Sequence, residues 1–104
     1  MILLPNPIEF SWDEGNKDKN LLKHGVGSQE CEEAFLNHPT LTLPDEKHST
    51  TEGRYLLLGI TGLKRKVSII FTLRRNKVRV ISARDTNKKE RKFYEEKTQK
   101  DTKF

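Results

Sequence analysis

The sequence has little of what metal, redox and cofactor-binding proteins depend on. Cys31 is the only cysteine among the 104 residues, which excludes an internal disulfide and a CxxC motif and favours a reducing compartment. The three histidines, His24, His38 and His48, fall on different predicted elements without metal-ligand spacing. Phosphate-binding glycine loops and GxGxxG motifs are missing as well. We therefore expect no metal and no cofactor, so any catalysis has to come from side chains alone.

Long hydrophobic runs are also absent. The longest apolar stretches, Leu56–Leu58 and Val67–Leu73, have the length of a strand and are too short to span a bilayer. No signal peptide is expected, because the first residues carry neither a basic segment nor an apolar one of useful length. With 33% hydrophobic and 34% charged residues, the composition is typical of a small globular protein. We predict a single cytoplasmic domain over residues 1–104, with a core at 8–97, a frayed tail at 98–104 and no membrane partner.

The two halves of the chain carry opposite charge. Residues 1–52 contain 4 Lys/Arg and 10 Asp/Glu, whereas residues 53–104 contain 16 and 5, which leaves the whole chain at +5. A basic half of this strength attracts polyanions, and nucleic acid would bind it with release of counterions. A lysine-rich face that serves solubility alone would explain the same composition. Charge therefore leaves both interpretations open.

Helix signals lie at both ends of the chain. After an alternating strand pattern over Ile8–Trp12, a helix with Asp at its N-cap is predicted over 13–24, and Gly25 would end it. A second helix with an apolar stripe is predicted over 28–38, with Ser at its N-cap and a proline after it. The last helix, over about 87–97, begins with an arrangement close to a capping box.

The middle of the chain is typical of a β-meander. Strands are predicted over 40–43, 54–61, 67–73 and 78–83, with short turns between the last three. Connections this short produce antiparallel hairpins. We therefore predict the α+β class, an antiparallel meander sheet packed by two N-terminal helices and one C-terminal helix.

Arg84 ends the last predicted strand, immediately before the C-terminal helix. Strand alternation places it on the same side as Val80 and Ser82, beside the sheet face that the helices would cover. An arginine in this position can simply pair with Glu90 and close the strand. It can also present a guanidinium to a phosphate.

Other polar groups near element ends have equally simple structural roles. Arg54 begins a strand two residues after Glu52, so the two side chains can form an ordinary surface ion pair. His24 lies at the end of the first helix, where a protonated imidazole interacts favourably with the negative end of the helix dipole. An imidazole there can also transfer protons near neutral pH. Tyr94 and Glu90 lie one helical turn apart, either as an acid–base pair or as a packed ring beside a capping carboxylate. The residues alone do not separate these roles.

Several short motifs follow one another along the chain with even spacing. In order they are Phe10-Ser11-Trp12-Asp13, Lys23-His24-Gly25-Val26, Glu32-Glu33-Ala34-Phe35, Glu52-Gly53-Arg54-Tyr55, Val80-Ile81-Ser82-Ala83-Arg84 and Glu90-Arg91-Lys92-Phe93-Tyr94-Glu95. Each motif is short, and its specificity comes from the collinear set. In this order the motifs resemble the BrnT family over about residues 8–97.

The resemblance implies a RelE-like fold and a toxin of a type II toxin–antitoxin pair. Such a toxin is an endoribonuclease that inhibits translation. Its partner would be a BrnA-like antitoxin with a ribbon-helix-helix part, in a heterocomplex that forms a dimer of heterodimers. Operator DNA would be contacted only through the antitoxin, whereas RNA would be the toxin's own substrate.

A ribonuclease that uses no metal activates the 2′-hydroxyl of the RNA against the adjacent phosphate, which requires orientation, proton transfer and charge stabilisation. On the resemblance, Arg84 and Arg54 would stabilise the phosphate. The candidates for proton transfer are Lys23, His24, Glu90 and Tyr94, with His24 as the first choice. The cations expected to follow the RNA backbone are Lys64, Arg65, Lys66, Lys88, Lys89, Arg91 and Lys92.

Two positions depart from the family pattern. Gly27-Ser28 replaces the Ser-Phe pair that usually follows His-Gly-Val, which predicts a looser entry to the second helix. Asp85 places an acid directly after Arg84, which is expected to weaken phosphate binding there. A non-catalytic module that binds nucleic acid or protein through its basic face is the alternative function.

Overall fold

The computed structural model describes residues 4–45, Lys47 and residues 52–99. The elements in chain order are α1 (Lys19–His24), α2 (Ser28–Leu36), β1 (Leu41–Pro44), β2 (Arg54–Ile60), β3 (Lys66–Arg74), β4 (Lys77–Asp85) and α3 (Lys88–Gln99). The four strands form one antiparallel sheet in the order β1-β2-β3-β4. The predicted α+β class with a meander sheet is confirmed.

The two faces of the sheet are covered by different helices. One side, here called the α2 face, carries the buried residues Leu57, Ile69 and Phe71, and the Phe71 ring packs edge-on against Phe35 of α2 at 5.0 Å. The opposite side, here called the α3 face, is joined to α3 by a hydrogen bond from Ser68. The hydrophobic core therefore lies between the α2 face and α2, while α3 covers part of the other side.

A β-bulge in β4 determines which face Arg84 occupies. Ile70 pairs with Ser82 but the next residue, Phe71, pairs with Val80, so Ile81 is an extra residue in β4. Val80 is consequently buried on the α2 face, whereas Ser82 and Arg84 lie on the α3 face with Ile70. The prediction that Arg84 shares a side with Val80 is therefore wrong, because simple alternation ignores the inserted residue.

The N-terminal predictions hold only in part. The expected strand over 8–12 makes a single parallel bridge, between Phe10 and Val78. The first helix begins at Lys19 and not at residue 13, because the Asn16 amide donates to the carbonyl of Val80 at 3.1 Å and holds the preceding segment in turns. Gly25 ends this helix as predicted, with a φ of 69°.

The other two helices differ from their predictions at one or both ends. The N-cap of α2 is Gly27, whose N–H is accepted by the Glu30 carboxylate at 3.2 Å, so Ser28 is the first helical residue and not the cap. This helix ends at Leu36, before His38. α3 continues past 97, where the Thr98 hydroxyl is buried and donates to the Tyr94 carbonyl at 2.7 Å. Residues 100–104 lie outside the described residues.

Cys31 packs in the core of the α2 face, where burial raises the pKa of its thiol to about 12. Such a thiol stays protonated and unreactive at neutral pH. Within residues 4–45, 47 and 52–99, none of the helices combines the length and the apolar character that crossing a membrane requires.

Candidate active site on the α3 face of the sheet

Arg84 and Glu90 form a bidentate ion pair at the end of β4. The two terminal nitrogens of the Arg84 guanidinium donate to the two carboxylate oxygens of Glu90 at 2.8 and 2.9 Å. The Arg84 side chain keeps 40% of its surface exposed, against 17% for Glu90. The pair therefore holds a guanidinium in a fixed orientation while leaving part of it open to a ligand.

Glu90 is held in place from three directions. Its Oε1 accepts the backbone N–H of Asn87 at 3.0 Å, Asn87 caps the Glu90 N–H in return at 2.8 Å, and the Ser68 hydroxyl donates to Oε2 at 3.3 Å. The predicted capping box is confirmed. Burial raises the pKa of Glu90, but the hydrogen bonds from Arg84 and Asn87 outweigh it, so the pKa lies below its usual value. Glu90 is therefore ionised at neutral pH and cannot donate a proton there.

Asp85 does not direct its carboxylate at Arg84. It binds the guanidinium of Arg65, with one of the two contacts at 3.1 Å, and this hydrogen bond lowers the pKa of Asp85. Arg65 also donates to the Gly25 carbonyl at 2.8 Å and to Glu30 at 3.3 Å. The acid beside Arg84 is therefore Glu90, and the Arg65 side chain, expected to follow RNA, ties the β2–β3 turn to the α1–α2 connection.

Arg54 and Arg84 lie on the same face but on different rows of the sheet. Three cross-strand rows cross β2, β3 and β4 on the α3 face, namely Arg54·Thr72·Arg79, Leu56·Ile70·Ser82 and Leu58·Ser68·Arg84. The outer two rows are four residues apart along β3, or about 13 Å at the usual rise of a strand. The two arginines therefore start from separate rows, and a chain of nucleotides could contact both through different phosphates.

The proton-transfer candidates are spread over several elements. His24 is the last residue of α1, and its backbone carbonyl accepts a hydrogen bond from Arg65 at 3.4 Å. Arg65 in turn binds the Asp85 carboxylate, and Arg84 donates to the backbone carbonyl of Asp85. His24 is therefore linked to Arg84 indirectly, through Arg65 and Asp85. The neighbouring Lys23 is exposed. Of the four candidates, Glu90 is in direct contact with Arg84.

Tyr94 has a structural partner. Its hydroxyl donates to the carbonyl of Pro39 at 2.6 Å, and 4% of the residue is exposed. Burial also raises the pKa of the phenol. Tyr94 thus fixes α3 against the segment before β1, and its hydroxyl proton is used in the hydrogen bond to Pro39.

The other basic residues lie around α3 and the β2–β3 turn. Lys64, Lys66 and Arg91 line an open polar cavity of about 410 Å³ next to Thr86. Lys66 is paired there with Glu95 at 2.7 Å. The exposed cations along α3 include the predicted Lys88, Lys89, Arg91 and Lys92, together with Lys97. The predicted RNA-following residues are therefore all exposed at least in part, although the guanidinium of Arg65 is already bound to Asp85 and Glu30.

Sequence reasoning missed Ser68, which lies opposite Arg84 in the register and is buried against Glu90. A serine within an apolar strand was the only signal, and its meaning depends on strand pairing. In the parts of the chain that the structure describes, no three His, Cys, Asp or Glu side chains are grouped as metal ligands. His48 lies outside those residues.

Comparison with protein families gives one match. The model of the ribonuclease toxin BrnT of type II toxin–antitoxin systems matches residues 12–90. The matched segment runs from Trp12 through the sheet to Glu90 and so includes Arg54, Ser68 and Arg84. A search of curated proteins finds no match.

Proposed function

Since the chain belongs to the BrnT family of ribonuclease toxins of type II toxin–antitoxin systems, we propose that it is a metal-independent endoribonuclease whose reaction centre lies at Arg84. The observation that carries the proposal is the bidentate Arg84–Glu90 pair. This ion pair fixes the partly exposed guanidinium of Arg84 on the α3 face. Arg84 belongs to the basic half of the chain, residues 53–104. A guanidinium held in this way can bind two phosphate oxygens with little loss of conformational entropy.

In the proposed reaction, the 2′-hydroxyl of the RNA loses its proton and attacks the adjacent phosphorus to form a 2′,3′-cyclic phosphate. The bond to the 5′-oxygen breaks, and this oxygen takes up a proton from water and leaves as a 5′-hydroxyl. Arg84 stabilises the negative charge that grows on the phosphoryl oxygens. Glu90 acts as a positioning residue, because its lowered pKa and saturated hydrogen bonds suit an anchor better than a proton donor. Ser68 supports this anchor from the opposite strand.

Proton transfer in this proposal remains with His24. The imidazole of His24 is at the end of α1, and Arg65 connects this end of α1 to Asp85 at the end of β4. RNA that passes from Arg84 over the end of β4 would therefore run towards α1. An imidazole is suited to accept the 2′-hydroxyl proton near neutral pH. Arg54 would hold a different phosphate from Arg84, about 13 Å away along the sheet.

The family implies an antitoxin partner. We propose that this partner is BrnA-like, that it forms a dimer of heterodimers with the toxin, and that operator DNA is contacted through it. Growth arrest would follow from RNA cleavage that inhibits translation. A basic RNA-binding face on the toxin is consistent with the excess of 16 Lys/Arg over 5 Asp/Glu in residues 53–104.

Expression of the isolated chain should arrest growth and fragment cellular RNA, because a free toxin has no inhibitor. Co-expression with the product of the neighbouring gene should abolish both effects. Growth curves and RNA integrity after induction measure the outcome. An isolated chain that neither slows growth nor changes RNA integrity, while accumulating as folded protein, would contradict the proposed function.

A further inference from the structure

The β3–β4 hairpin carries a second concentration of positive charge that the predicted RNA-following residues do not include. Its members are Arg74, Arg75, Lys77 and Arg79, here called the hairpin cluster. Arg75 and Asn76 have φ values of 51° and 64°, as in a two-residue hairpin turn, so the chain reverses tightly and the four cations are forced together. They line most of an open cavity of about 320 Å³.

The arrangement is unfavourable for the free protein. Arg74 and Lys77 are direct cross-strand partners, and like charges at opposed positions destabilise a sheet. Two carboxylates offset the repulsion in part, with Glu52 bound to Arg74 at 3.1 Å and Asp13 bound to Arg79 at 2.9 Å. The cluster nevertheless retains two more cations than the acids that pair with it. The ion pairs of Arg74 and Arg79 tie the hairpin to the segments of Glu52 and Asp13. Arg75 and Lys77 are exposed and form no ion pair with the described carboxylates, which suggests an anionic ligand.

The cluster also lies in line with the proposed reaction centre. Strand alternation places Lys77 and Arg79 on the α3 face, and Arg79 belongs to the same cross-strand row as Arg54. From the Arg74·Lys77 pair to the Ser68·Arg84 pair there are six residues along β3, or about 20 Å. The path between them crosses the partly exposed row of Leu56, Ile70 and Ser82.

We propose that the hairpin cluster is a phosphate-binding surface for the RNA strand beyond the cleavage point, so that single-stranded RNA lies along β3 and β4 from Arg84 to the hairpin. This inference rests on the proposed function and adds the direction and length of the bound substrate. RNA suits the surface better than an acidic protein segment does, because evenly spaced phosphates match cations that continue along one face to Arg84. A short RNA would reach Arg84 without reaching the hairpin.

The test uses the full chain and the exposed cations Arg75 and Lys77, whose charge is removed in an Arg75→Gln/Lys77→Gln variant. A Lys17→Gln/Lys19→Gln variant removes the same charge from exposed positions near α1 and is the matched control. The probes are 2′-O-methyl RNAs, which lack the nucleophile, of about 12 and about 3 nucleotides, lengths that do and do not span 20 Å. Fluorescence anisotropy at several KCl concentrations gives Kd and its salt dependence.

The hairpin variant should bind the long RNA roughly tenfold more weakly than the unaltered chain. Its slope of log Kd against log salt should fall by about 1.4, the value for two phosphate contacts of a single strand. Binding of the short RNA should be unchanged, and the control variant should show a smaller loss and no length dependence. Unchanged affinity and slope for the long RNA would overturn the inference.

Two further outcomes separate this inference from the proposed function. If the unaltered chain cleaves RNA while the hairpin variant binds long RNA equally well, the hairpin proposal fails and the reaction centre stands. If the variant loses antitoxin binding alone, the hairpin ligand is an acidic protein segment and the RNA proposal fails. If the unaltered chain binds no RNA of either length, both proposals fail together.

Discussion

An Arg84→Ala chain should cleave RNA at least about a hundredfold more slowly than the unaltered chain, the usual loss when one preorganised charge stabiliser is removed. Expressed alone, it should no longer arrest growth. The reason is that Arg84 is the cation that Glu90 orients and leaves partly exposed on the α3 face. Initial rates on a defined single-stranded RNA measure the effect.

Loss of folding has to be separated from loss of chemistry in this experiment. Removal of Arg84 leaves the partly buried carboxylate of Glu90 with fewer partners, which should cost about 1–3 kcal/mol of stability. An Arg84→Ala/Glu90→Gln variant also removes the negative charge of Glu90, which would otherwise lack its guanidinium partner. It should recover most of that stability, and urea unfolding measures the recovery. Its cleavage should remain slow. A double variant with the cleavage rate of the unaltered chain would show that Arg84 acts only as a structural partner of Glu90 and that the reaction centre lies elsewhere.

Replacement of Gly59 by alanine should lower the free energy of unfolding by about 1–3 kcal/mol, the cost of overpacking a tight interface. A Cβ at this position would lie 2.8 Å from the backbone carbonyl oxygen of Ala34 and 2.9 Å from a methyl group of Leu57. The carbonyl belongs to α2 and cannot move without the helix. Gly59 therefore sets how closely α2 approaches the sheet.

Gly62→Ala is the matched control for this substitution. Its Cβ would meet the end of the Glu33 side chain at 3.3 Å, a flexible carboxylate that accepts an exposed hydrogen bond from the Gly62 N–H at 2.9 Å and can adjust its position. Urea unfolding of the two variants should therefore show a clear loss of stability for Gly59→Ala and almost none for Gly62→Ala. Equal losses would mean that the close approach of α2 to β2 is not what position 59 requires.

The strands and their turns could be predicted because their signals are local. The three long strands follow from apolar residues bounded by turn formers, and short connections dictate antiparallel pairing. The capping box of α3 followed equally from the spacing of Asn87 and Glu90. In each case the deciding interaction joins residues that are near one another in the sequence.

Features that depend on distant contacts were beyond sequence reasoning. The bulge at Ile81 moves Arg84 to the α3 face, yet it is visible only in the pairing of β3 with β4. Likewise, α1 starts late because Asn16 bonds to a carbonyl 64 residues away. The sequence also offers two acids to Arg84, and only the fold assigns Glu90 to it and Asp85 to Arg65.

The chemistry at Arg84 can be tested most directly from the ends of the RNA fragments. The purified chain is incubated with single-stranded RNA in excess EDTA, and the termini of the products are identified by mass spectrometry. A reaction driven by the 2′-hydroxyl and by side chains alone predicts cleavage that EDTA does not slow, with 2′,3′-cyclic phosphate and 5′-hydroxyl ends. Cleavage abolished by EDTA, or products with 5′-phosphate ends, would contradict the account.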